Sequence, residues 1–291
     1  MFDIRTYTTE TIPLDSLPQW SPWPARLLGM TDWTTQKRDI QKVDKEYDKE
    51  EYLRCLNFVQ ERKGATPEDV RTFEFRLPRK PLCVSQKNEL FVLPAEHLLA
   101  VDNAMLAQIL GPFMADVHTV VELGCGYGYN LWELRRQFPD KRFVGGEYSA
   151  NAVRLAGLLY ATHPNITVES FNYYDDAYSL LERCPADGKT LVFTRHSIEQ
   201  LPSAKKFLTS LSQYFDRIAA VVHMEVAYEN YGNGLLDLLR KRYVVANDYN
   251  RDLVGLLQNH PDIAVLRNEA DVYGVSPLNP SSVIAWKPRS A

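Results

Sequence analysis

The sequence predicts an α/β fold, with a seven-stranded, mostly parallel sheet behind an N-terminal helical cap. Three observations carry that reading. Short β-rich apolar segments alternate with helical spacing from Val120 to Trp286. The first of those segments runs straight into alternate glycines, Gly124, Gly126 and Gly128, and then into a helical pattern. Ahead of them lie about 115 residues with a Pro/Trp-rich start and helical patterns of their own, so the chain is expected to divide into an arm with a cap (1–115) and a core (116–291).

The elements follow in order. Pro13, Pro18, Pro22 and Pro24 with Trp20 and Trp23 make the first thirty residues an extended arm. From Thr34 to about Arg62 the chain is strongly charged with helical spacing: Ile40, Val43 and Tyr47, then Tyr52, Leu56 and Val59. Helices are expected over 67–73 and 95–113. In the core, strands are expected at Val120–Glu122, 141–147, 166–171, 190–194, 218–226, 263–272 and 283–286. Helices are expected at 130–138, 152–161, 176–184, 204–214, 234–242 and 252–259. The fifth strand is apolar almost throughout, as both-face burial requires.

The bulk numbers bound the function. The 291 residues are 45% hydrophobic and 24% charged, an ordinary globular balance. A net charge of −4 and the absence of a basic run argue against a nucleic-acid acceptor, because proteins that grip phosphate backbones carry a basic face. Cys55, Cys83, Cys125 and Cys184 are widely spaced, with no zinc or disulfide pattern, so no metal site is expected and the thiols read as reduced and cytoplasmic. No signal segment and no bilayer-length apolar run is expected.

Alternate glycines let a backbone turn sharply and let a ligand approach without meeting a Cβ. A dinucleotide fingerprint is G-x-G-x-x-G; here Glu122-Leu-Gly-Cys-Gly-Tyr-Gly128 brings the third glycine one residue early. A second acid, Glu147, ends the next strand 147 − 128 = 19 residues after Gly128, where a βαβ unit delivers a carboxylate to ribose hydroxyls.

This pattern resembles the first motif of the class I, Rossmann-like S-adenosylmethionine-dependent methyltransferases. The resemblance implies S-adenosylmethionine as cofactor, held by Glu122, Gly124, Cys125, Gly126, Tyr127, Gly128, Asn130, Glu147, Tyr148, Asn172, Tyr173 and His196. It also implies seven strands with the last antiparallel. Family members usually carry Asp after the third strand to hold the adenine edge; this chain offers Asn172 first and Asp175 three residues later.

Catalytic candidates follow the fourth and fifth strands. His196 suits a general base for a hydroxyl acceptor, Arg195 could orient a carboxylate bidentately, and His223 could reach the acceptor. The expected activity is O-methylation of a small molecule or peptide in a biosynthetic pathway, with no nucleic acid or membrane partner. N-methylation of a small molecule or protein is the nearest alternative, disfavoured by Thr-Arg-His-Ser197 where amine and amide enzymes of the family often show Asn/Asp-Pro-Pro-Tyr. A nicotinamide-dependent oxidoreductase or a noncatalytic cofactor-binding protein are the readings from other classes.

Overall fold

The computed structural model describes residues 2–33, 39–76 and 80–289. Thr34–Arg38, the start of the expected charged helix, lies outside the described residues. The elements in chain order are β1 (Glu10–Ile12), α1 (Leu17–Trp20), α2 (Trp23–Leu27), α3 (Ile40–Val43), a π-helical stretch (Asp44–Tyr52), α4 (Leu53–Glu61), α5 (Pro67–Glu74), β2 (Leu82–Gln86), β3 (Glu89–Leu93), α6 (Leu98–Leu110) and β4 (Thr119–Leu123). They continue as α7 (Tyr129–Gln137), β5 (Arg142–Glu147), α8 (Ala150–Leu159), β6 (Ile166–Ser170), α9 (Ser179–Glu182), β7 (Thr190–Arg195) and α10 (Lys205–Leu211). The last are β8 (Ile218–Glu225), α11 (Leu235–Ala246), α12 (Leu253–Gln258), β9 (Ile263–Tyr273) and β10 (Ser281–Pro288).

The large sheet has seven strands in the order β6-β5-β4-β7-β8-β10-β9. β4 to β8 are parallel, and β10 is antiparallel to both of its neighbours. All five residues of β4 are buried, because helices cover both faces. The strand period of two then sorts its side chains. Val120 joins the cluster of the α6, α7 and α8 face with Met105, Leu134 and Leu155. Val121 and Leu123 join the cluster of the α9, α10 and α12 face with Leu180, Phe207 and Leu257. The order of strands reverses at β4, so a ligand crevice is expected beyond its carboxyl end.

The N-terminal portion is not purely helical. β1, β3 and β2 form a separate antiparallel sheet, in which β2 and β3 are a hairpin turning at Lys87 and Asn88. Both turn residues have positive φ, 51° and 64°, the mirror-image turn that matches strand twist. That turn favours Asn-Gly or Asp-Gly; Lys-Asn is a weak signal, and the hairpin was not among the expected elements.

The hairpin is fastened to the core by buried charge. Arg240, fully buried on α11, donates to Asp271 Oδ2 at 2.7 Å, to Ser85 Oγ at 3.1 Å and to the Pro277 carbonyl at 2.8 Å. Asp271 in turn accepts from the Asn88 amide at 2.7 Å and from Ser85 Oγ at 2.9 Å. Removing one member of a buried pair strands the other charge, which costs about 3–5 kcal/mol. Arg240→Ala should therefore lose stability of that order in urea unfolding; a loss below about 1 kcal/mol, the size of an exposed ion pair, would show that the network does not fasten the hairpin.

Candidate active site

The glycine loop sits where β4 ends. Gly124, Gly126 and Gly128 all have positive φ, at 73°, 56° and 83°. Space forbids a side chain as firmly as conformation does. A Cβ on Gly124 would lie 2.4 Å from Ser197 Cβ, and one on Gly126 would lie 2.5 Å from Tyr52 Oη. Gly128 is the N-cap of α7, and a Cβ there would press on Val168 at 3.1 Å.

Glu147 closes the loop from below. Its Oε2 accepts the Gly126 amide and its Oε1 the Ser149 amide, both at 2.8 Å. Burial raises its carboxyl pKa, and those two amides partly offset the rise. Glu122 has a harsher environment. Its Oε1 accepts from Asn130 Nδ2 at 2.6 Å, while its Oε2 is buried with no partner. Burial pushes its pKa up to about 8, against the pull of Asn130 and two arginines.

An open pocket of about 890 Å³, solvent at its mouth included, lies over the loop. Gly124, Glu147, Tyr148, Phe171, Asn172, Tyr173 and His196 form one wall. Tyr173 is held by its hydroxyl, which donates to the Leu123 carbonyl at 2.8 Å and packs edge-on against Phe171 and Phe207. The opposite wall comes from the N-terminal portion: Ile40, Val43, Asp44, Tyr47, Asp48 and Tyr52. Asp48 fixes that wall, accepting the Asn151 amide at 2.9 Å and the Ser149 hydroxyl at the start of α8.

This wall contains the nine-residue π-helical stretch. Wide turns of this kind are rare and gather at functional sites. The two apolar triplets of the sequence were out of phase by the step of five from Tyr47 to Tyr52. An i→i+5 helix produces that shift, so the sequence held a signal that helical spacing alone does not decode.

The other expected cofactor residues do not reach the pocket. Cys125 is buried, and burial holds its thiol well above the usual range. Tyr127 runs beneath the loop to donate to Glu74 Oε2 at 3.1 Å. Asn130 and Glu122 lie in a buried polar chain: Glu122–Asn130–Arg195–Asp102–Arg71–Glu74–Tyr127.

That chain corrects the expectation for Arg195. Its guanidinium bonds Asp102 and Asn130 and does not line the pocket, so it is not free to orient an acceptor. The expectation for His223 is corrected as well. It is fully buried, accepts from Trp286 Nε1 at 3.0 Å through Nε2, and therefore donates from Nδ1 to Thr194 Oγ1 at 2.9 Å. Burial drives its pKa down to about 3, so it stays neutral and structural.

His196 does line the pocket, in a strained turn with φ +49°. Its Nδ1 donates to Glu199 Oε2 at 2.9 Å, and its Nε2 lies 2.7 Å from Ser281 Oγ. Burial pulls the imidazole pKa down, but the Glu199 carboxylate outweighs it, so the net shift is upward. Glu225, two residues after His223 on β8, lies beneath. Burial first, then Glu199, raises its pKa, and it accepts the Ser197 amide at 3.0 Å.

No protein-family model matches the chain. It is 28% identical over 163 residues to a tRNA (guanine-N(7)-)-methyltransferase of Shewanella sp. (strain MR-4), covering 52% of this chain and 64% of that protein. It is 27% identical over 184 residues to the protein so named in Alcanivorax borkumensis, covering 60% and 75%. Magnesium protoporphyrin IX methyltransferase from Synechocystis PCC 6803, solved with bound SAH, superposes at a TM-score of 0.50 with 11% identity, over 86% of this chain and 100% of that one. The strand order and the glycine turn define a Rossmann-like methyltransferase fold. Relatives named as methyltransferases and this shared fold are consistent with the class I, Rossmann-like S-adenosylmethionine-dependent methyltransferases that the glycine motif resembles. The expectation that no nucleic acid is involved is overturned by relatives named for a tRNA base. An acidic net charge averages over a whole surface and does not rule out a local basic contact.

Two outcomes check this site. Gly126→Val should abolish cofactor binding in calorimetry, because the branched side chain meets both Tyr52 and a forbidden φ; wild-type affinity would remove the loop from the site. For Glu122, the folded pKa of about 8 exceeds the ordinary 4.5, so the folded state keeps a proton that the unfolded state releases. Its contribution to stability is present below pH 4.5 and lost as pH rises through about 8. Urea unfolding should show Glu122→Gln gaining stability over wild type at pH 8 and little at pH 4; an equal difference at both pH values would contradict the shift.

Proposed function

We propose that the protein is an S-adenosylmethionine-dependent methyltransferase whose acceptor is a base nitrogen of RNA. The observation that carries the cofactor assignment is the pocket at the end of β4, lined by Gly124 and Glu147 with Tyr148, Asn172 and Tyr173 along the same wall. The residues fit the group. Glu147, which lines the pocket, keeps acceptor capacity on both oxygens for hydroxyl donors. Phe171 and the tyrosines supply flat apolar surface for a purine. When bound, the cofactor supplies a sulfonium methyl group to an in-line lone pair.

The acceptor assignment rests on the names of the relatives, which match part of their own lengths. A ring nitrogen such as guanine N7 has a free lone pair and needs no base, so positioning supplies the acceleration. Positive charge develops on the base as it is alkylated. The buried carboxyl groups of Glu199 and Glu225 make this side of the pocket favourable to that charge when ionised.

A second reading is favoured by one observation, the His196–Glu199 pair with its raised imidazole pKa. It would serve a hydroxyl acceptor, with Nε2 taking the proton once Ser281 yields its place. Incubation with methyl-tritiated cofactor, total RNA and a small-molecule extract separates the two. Label released as a base-modified nucleotide by nuclease digestion of the RNA supports the first reading; label confined to the small-molecule extract supports the second. His196→Ala discriminates further: loss of about 10²–10⁴ in kcat marks a general base, whereas a loss below about tenfold, with no His-dependent limb in the pH profile, fits a base nitrogen.

A further inference from the structure

A second groove, of about 830 Å³, lies between α2 and α11 and is lined by Arg26, Trp33, Tyr228, Lys241 and Arg242 with apolar neighbours. No carboxylate lines it. Among the described residues none of its three cations forms an ion pair, in a protein whose net charge is −4. Their hydrogen bonds go to carbonyls instead: Lys241 Nζ to Gly232 at 2.9 Å and Arg242 Nη1 to Leu27 at 3.4 Å. Carbonyls hold the side chains in place and leave the charge uncancelled.

The aromatic component is ordered too. Arg26 lies 5.0 Å from the Trp33 ring centroid and 5.3 Å from that of Trp23, and Trp33 is still 42% exposed. Lys241 stands 6.0 Å over Tyr228. Uncancelled cations beside an exposed, braced aromatic face are the two components of a single-strand contact, charge for phosphates and a ring for a base.

The groove is also joined to the catalytic edge at both ends of its segment. Tyr228 follows Glu225 of β8 by three residues, and Asn250, four residues past Ala246, donates its amide to the Glu199 carbonyl at 2.9 Å. Chain held there is on the same end of the sheet as His196.

We infer that the α2–α11 groove docks the RNA acceptor, with Arg26, Lys241 and Arg242 on the sugar-phosphate backbone and Trp33 under an unpaired base. This rests on the RNA reading above and names the surface that reading requires. The test uses the full chain and a fluorescein-labelled, unmodified tRNA transcript, with anisotropy titrations at several salt concentrations. The double variant Lys241→Glu/Arg242→Glu should weaken binding at least about tenfold at low salt and flatten the log–log salt slope by about 1–2, the loss of two phosphate contacts. Trp33→Ala should weaken it by about 5-fold or more, the range of one stacked base, with less change in slope. Both variants should bind cofactor like wild type in calorimetry, which shows that the fold is intact.

If wild type binds the transcript and the double variant binds within about twofold of it, the groove is not the docking surface and the RNA reading survives. If wild type does not bind the transcript at any salt concentration, both fail. A wild-type dimer in light scattering that becomes monomeric in the double variant, with tRNA affinity unchanged, would make the groove a contact between copies and overturn the proposal.

Discussion

The structure depends on one buried polar chain that joins two parts of the sequence. From Glu122 at the end of β4 it passes through Asn130, Arg195, Asp102, Arg71 and Glu74 to Tyr127, back in the loop. Asp102 is the junction, held below the ordinary carboxyl range because Arg195 and Arg71 overcome the cost of its burial. Arg71, Glu74 and Asp102 belong to α5 and α6; the others belong to the sheet, its loop and the first turn of α7. A charge taken out of water must be answered at close range, so the helices cannot shift without stranding a charge beneath the glycine turn. The loop's shape is thereby set from beneath by residues far away in sequence.

With the loop fixed, its upper side is left for a ligand. Tyr52 approaches Gly126 so closely that only glycine fits, and Asp48 fastens the π-helical wall to the start of α8. The N-terminal portion therefore does more than cover the sheet, since it supplies one wall of the pocket. His196 sits at one end of that pocket in a strained backbone turn, with the buried carboxyl groups of Glu199 and Glu225 behind it.

Much of this was legible in the sequence because local patterns dictate it. The βα alternation, the seven strands and the glycine turn all follow from spacing that one element enforces on itself. The residues after β5 and β6 that line the pocket, Glu147, Tyr148, Asn172 and Tyr173, follow from the rule that ligands lie beyond strand ends. What was not legible depends on distant partners. Arg195 and His223 have the right chemistry for catalysis, but Asp102 claims one and Trp286 the other, from 93 and 63 positions away. The β2–β3 hairpin hid behind a turn lacking glycine, and its anchor Arg240 is 152 residues from Asn88. The acidic composition argued against nucleic acid, against the names of the relatives, because net charge carries no information about where the cations are placed.

The central claim is that the pocket between the glycine loop and the π-helical wall holds the methyl donor. Hydrogen–deuterium exchange with and without S-adenosylhomocysteine tests it most directly, because it reads both walls at once without requiring an acceptor. The account predicts slower exchange in Asp39–Tyr52 and in 122–130 and 147–151, with the α2–α11 groove unchanged. Protection confined to other segments, or none at a saturating concentration, would contradict it.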